Sequence, residues 1–223
     1  VTPHALEGQL RHLAPFLVPE LPLWLLPADS PAWTADDPAA LGWPYWAFAW
    51  PGGQAIARAV LDAPMLVAGR RVLDFGSGCG VEGLAALRAG AASVCCADID
   101  PFAGRAARRN AASLGLHVET TEVNLLDQAG DWDVILAGDV CFEPELASAV
   151  LAWLRREAAR GVRVLVGDPG RVPVERSGFV SLGTWRAPFD GDPRGDTLWD
   201  THVLSAGHDG SAGAWVATPR TTR

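Results

Sequence analysis

The sequence predicts an α/β protein: a seven-stranded sheet, mostly parallel, with an antiparallel terminal hairpin at one edge and helices on both faces. Three observations carry this. From Arg71 onward, short β-branched runs alternate with longer alanine-rich stretches, the pattern of βα units feeding a parallel sheet. After Gly170 the alternation stops, and the strand-like runs 179–188 and 197–206 are separated only by FDGDPRGD, a turn cluster with no room for the crossover a parallel pair needs. At 223 residues and 23.6 kDa, the chain suits one domain with some decoration.

Taken in order, residues 3–17 read as a helix. Residues 19–51 are rich in Pro and Trp and hold five of the ten tryptophans, Trp24, Trp33, Trp43, Trp46 and Trp50. Such a segment is either a lid or a hydrophobic seam against the sheet. Residues 53–63 form a helix and 70–75 (RRVLDF) the first strand of the sheet. A helix at 79–90, a strand at 92–98 and a helix at 101–114 follow, the last started by Pro101, whose missing N–H is harmless in a first turn. Strands near 116–123 and at 132–138 flank the second half, then a helix at 144–159 and a strand at 162–167. This divides the chain into an N-terminal segment, 1–52, a Rossmann-like domain, 53–206, and a tail, 207–223, expected to be flexible.

Composition narrows the function. Hydrophobic residues make up 49% and charged residues 20%, which describes a chain with a core. All 18 basic residues are arginine against 26 acidic ones, a net charge of −8. An acidic excess argues against binding phosphate backbones, whose affinity comes from basic side chains. Cys79, Cys95, Cys96 and Cys141 have no zinc-type or disulfide-framework spacing, so no metal is expected and a reducing, cytoplasmic setting is. Prolines cut every apolar run short of a membrane span, and no signal peptide is expected.

The strongest local motif is VLDFGSGCG, residues 72–80, where a strand turns into a helix. Gly76, Ser77, Gly78 and Gly80 let backbone approach a ligand closely. A dinucleotide site needs a third glycine where Val81 stands, and Asp74 would face a pyrophosphate with like charge. S-adenosyl-L-methionine carries ammonium and sulfonium groups instead, which a carboxylate attracts. Asp98, ending the next strand, can accept two ribose hydroxyls, with Ile99 against the adenine; Asp100 caps the following helix. In the run Glu122 to Asp127, Asn124 beside Leu125 is a partner for the adenine amino group, as is Asp127. The fourth strand delivers Gly138, Asp139 and Phe142 to the carboxyl edge, where such sheets bind ligands. Asp139 and Phe142 offer charge and an aromatic face to an aliphatic amine, with Trp46 and Trp50 as walls. Cys141 reads as packing.

Four segments, PYWAFAWPGGQA (44–55), VLDFGSGCG (72–80), ADIDPFAG (97–104) and WDVILAGDVCFEPELA (132–147), with RVLVGDPGR (163–171), resemble the lysine methyltransferases of the electron-transfer flavoprotein β-subunit. That resemblance implies methyl transfer from S-adenosylmethionine to lysines of a protein substrate. It implies activity-linked roles for Asp139 and Phe142, and cofactor contacts near Trp50, Gly53 and Gln54. Phe142 stands where relatives often have tyrosine, and Cys141 and Pro144 also depart from the pattern. The alternatives are a methyltransferase acting on a small nicotinamide-like amine and a silent binding module that keeps the fold.

Overall fold

The computed structural model describes residues 6–30, 44–188 and 197–206. Its seven-stranded sheet contains β3 (Arg71–Phe75), β4 (Ser93–Ala97), β5 (Glu119–Thr121), β6 (Val134–Gly138), β7 (Arg163–Asp168), β8 (Val180–Pro188) and β9 (Leu198–Ala206), in the order β5-β4-β3-β6-β7-β9-β8. The first five strands in that order pair parallel. β9 inserts antiparallel between β7 and β8, so the terminal pair is the expected antiparallel one. Its FDGDPRGD connection lies outside the described residues, as do Trp33, Trp43 and the tail.

The period of two along each strand sorts side chains into two cores. Val72, Leu136, Leu165 and Val203 point to one face, covered by α1 (Pro51–Asp62), α2 (Val81–Arg88) and α3 (Pro101–Ser113). Leu73, Ile135, Val164, Val166 and Leu204 point to the other, where α4 (Pro144–Ala159) lays Val150, Leu151, Trp153 and Leu154. The predicted strands and helices are thus present, with trimmed ends. α2 starts at Val81 and not at residue 79, because Gly78 and Gly80 have φ of +48° and +81° and keep the loop out of helical geometry. β5 is cut to three residues because it borders only Cys95–Ala97 of β4.

One expectation fails. Among the described residues the predicted helix 3–17 is helical only at Leu6 and Glu7, and Arg11–Leu13 forms β1, paired antiparallel with β2 (Leu23–Leu25). Gly8 sits in a turn and Pro15 has no N–H to continue a helix, so the backbone groups of this stretch find partners across a ribbon instead. Val18, Leu21, Leu23 and Leu25 are buried with Ile56 and Val60 of α1, while Leu6, Leu10 and Leu26 join Trp46, Phe48, Ala103 and Ala106. The described N-terminal residues therefore share the core of the sheet domain, and α1 begins at Pro51, before the boundary drawn at residue 53.

Candidate active site

A cavity of about 580 Å³ opens at the carboxyl ends of β3, β4 and β6, where Phe75, Ala97 and Gly138 form its floor. The glycine loop makes one wall. Gly76 and Ser77 donate their backbone N–H groups to the Ala97 carbonyl, at 2.8 and 3.1 Å, which ties the loop to the end of β4. Gly78 donates to Asp98 Oδ2 at 2.9 Å, and Asp98 Oδ1 accepts from the Asp100 amide at 3.0 Å. Each Asp98 oxygen keeps further lone-pair capacity on the cavity side. Burial raises its pKa, and the two amides oppose that rise. Asp100 accepts from Phe102 N and caps α3. Ile99, 72% exposed, and Leu125 line the cavity, as does Asn124, whose Oδ1 accepts from the Leu126 amide.

A further part of the lining is aromatic. Trp46 and Trp50 line it, and the Trp50 Nε1–H donates to the Tyr45 carbonyl at 2.9 Å. Tyr45 stacks on Phe142, ring centroids 6.0 Å apart, and both stand exposed at the rim. Asp139 also lines the cavity, with a φ of +55°, rare for a residue with a side chain. Its Oδ2 accepts from the amides of Gly52 at 2.5 Å and Gly53 at 3.2 Å, so it caps α1, whose N-cap residue Trp50 cannot. Its Oδ1 pairs with Arg171, whose guanidinium lies 5.2 Å from the ring centres of both Trp50 and Trp199. Burial raises the Asp139 pKa, and Arg171 with the two amides pulls it back.

Gly53, Gln54, Asp74, Ser77, Gly80 and Asp127, expected at the cofactor, are not on the cavity wall. Asp74 shares a pleat face with Val72, so it points beneath α2, is fully buried and accepts from the Gly83 amide at 2.9 Å. Burial, followed by the charge of Asp98, raises its pKa to about 7. Ser77 is buried inside the loop, and Gly53 lies in α1 against Glu82. Glu82, which sequence reasoning passed over, accepts from the Gly138 amide at 3.0 Å. Its pKa is raised well above normal by burial and then by Asp74 and Asp139. Asp74 Oδ1, Ser77 Oγ and Glu82 Oε2 are buried without a hydrogen-bond partner among the described residues. On the cavity wall itself the acidic groups are Asp98, Asp100 and Asp139, which suits a ligand bringing positive charge better than a phosphate. Sequence reasoning also missed Arg171, although it ends the GDPGR segment. Cys141 is buried, and burial pushes its thiol up to about 12, which removes it as a nucleophile.

A family model described as ribosomal protein L11 methyltransferase (PrmA) matches residues 59–141. The electron transfer flavoprotein beta subunit lysine methyltransferase of Xenopus laevis is 43% identical over 159 residues, 70% of this chain and 65% of that protein. The Homo sapiens protein of that name is 41% identical over 168 residues, 74% of this chain and 60% of that one. The Caenorhabditis elegans homolog is 34% identical over 182 residues, covering 74% and 75%. The chain thus spans less than two thirds of the length of these vertebrate relatives. In fold, the magnesium protoporphyrin IX methyltransferase from Synechocystis, solved with bound SAM, matches 69% of this chain and 78% of its own, with a TM-score of 0.51 at 18% identity.

Proposed function

The chain belongs to the family of electron transfer flavoprotein β-subunit lysine methyltransferases, and from that premise we propose that it moves a methyl group from S-adenosylmethionine to lysine amines of a protein, the electron-transfer flavoprotein β-subunit. The observation that carries this is one cavity lined by the glycine loop and Asp98 together with Asp139, Phe142 and Trp50.

Asp98 holds the ribose hydroxyls, Gly76 and Gly78 give backbone approach, and Ile99, Asn124 and Leu125 flank the adenine. Trp50 and Gly138 border the amino-acid portion. When bound, S-adenosylmethionine supplies a methyl group made electrophilic by its sulfonium. The chain's own work is alignment and exclusion of water, worth up to about 7–11 kcal/mol. Tyr45 and Phe142 sheathe the aliphatic stem of the lysine. Transfer into this largely apolar cavity lowers the lysine pKa from about 10.4 and favours the neutral amine. Asp139, whose ionised form Arg171 favours, orients its N–H groups. A reducing compartment suits the four cysteines, none in a disulfide among the described residues and three of them buried.

The test is incubation of the full chain with methyl-labelled S-adenosylmethionine and recombinant electron-transfer flavoprotein β-subunit, in parallel with nicotinamide. Label on lysines of the protein is expected. Label on nicotinamide alone, or on neither, overturns the reading.

A further inference from the structure

Resting on the methyltransferase reading above, we propose that Arg171 is a positioning residue for the acceptor side of the cavity, and that through Trp199 it makes the terminal hairpin part of the site.

Arg171 lies three residues past the end of β7. Its side chain, 20% exposed, is held three ways, by the Asp139 carboxylate, by the Trp50 ring and by the Trp199 ring. A surface ion pair needs no aromatic faces. A guanidinium between two indoles is fixed in plane and in position, and a lysine ammonium offers no such plane. What it fixes is the part of the site that needs fixing. Asp139 sits in the left-handed region, where a side chain is strained, and Trp50 is both cavity wall and N-cap residue of α1. Trp199 belongs to β9 and is absent from the cavity lining, so Arg171 is its route to the chemistry.

Charge makes the role measurable. Asp139 faces the Gly52 and Gly53 amides from α1, Glu82 from α2, and Arg171. Without the Arg171 cation the Asp139 carboxylate is left buried beside Glu82 and binds a proton more readily. Because the ionised form orients the amine, the acid limb of the rate profile then moves to higher pH.

The experiment compares the full chain with Arg171→Met, Arg171→Lys and Trp199→Ala, after matching their far-ultraviolet circular dichroism. It measures kcat and KM for methylation of the flavoprotein β-subunit from pH 6 to 9, and titrates the Asp139 carboxyl by ¹³C NMR, assigned with Asp139→Asn. Arg171→Met is expected to lower kcat about tenfold or more and to shift both the acid limb and the NMR titration upward, by roughly one pH unit for each tenfold change in proton affinity. Arg171→Lys restores the limb but not kcat. Trp199→Ala lowers kcat, and combined with Arg171→Met it adds little. An unshifted limb and titration in Arg171→Met, or independent multiplication of the two effects, overturns the proposal. Wild-type protein that transfers no methyl while the NMR shift persists overturns the methyltransferase reading and leaves the positioning of Asp139 by Arg171 standing.

Discussion

Two aspartates, Asp74 and Asp139, show what a residue's neighbours in sequence cannot reveal. Both stand at strand ends beside a ligand edge, and both cap helices: Asp74 the amide of Gly83 in α2, Asp139 those of Gly52 and Gly53 in α1. Only Asp139 also borders the cavity. The sequence marks a carboxylate; the pleat decides which side of the sheet it serves. Asp98 has the cavity-facing role, and Asp98→Ala is expected to weaken S-adenosylhomocysteine binding about tenfold or more by calorimetry, with the thermal midpoint little changed. Asp74 has a different signature. Its native pKa of about 7 lies above the ordinary 3.8, so its contribution to stability is complete below pH 4 and is lost as pH rises through 7. Asp74→Asn is therefore expected to flatten the fall in melting temperature between pH 5 and pH 8. An unchanged slope would show that another group titrates. Gly52 was read only as part of a motif. A β-carbon there would lie 2.4 Å from the Gly167 carbonyl oxygen, so Gly52→Ala is expected to lose about 1–3 kcal/mol in denaturant unfolding.

At the level of the element, local chemistry was legible wherever one element satisfied its own backbone. Pro101 with Asp100 before it announced α3, and Asp100 does accept from Phe102 N. Replacing Asp100 with Ala is expected to cost about 1 kcal/mol of stability, read as a lowered urea midpoint at constant slope. β3, β4, β6 and β7 were legible for a related reason: each carries an apolar, β-branched run that fits a buried parallel strand. The ribbon β1–β2 was not legible, because two three-residue strands are set by pairing with each other and by packing against α3. Trp24 N donates to Asn110 Oδ1 at 2.7 Å, while Arg109 lies over the Trp24 ring, contacts 86 and 85 residues apart in sequence. Likewise Arg171 acquires meaning only when Trp50 and Trp199 arrive from opposite ends of the chain.

For the whole molecule, a net charge of −8 with no lysine of its own gives an acidic body, suited to the lysine-bearing acceptor proposed above. Long-range attraction of that kind is screened within about 8 Å at physiological salt. Raising sodium chloride from 50 to 500 mM is expected to lower kcat/KM for the protein acceptor several-fold, chiefly through KM. Salt-independent kinetics would assign the charge to solubility alone. The order β7-β9-β8 carries a separate consequence for how the molecule comes into being. β8 is synthesised before β9, yet it has no place in the sheet until β9 has docked on β7. During synthesis β7, buried from Val164 to Asp168 in the finished fold, must wait as a bare strand edge, the kind of surface on which nascent chains stick to one another. A ribosome stalled before Leu198 would thus hold a chain short not of one strand but of two, with Arg171 lacking its second indole.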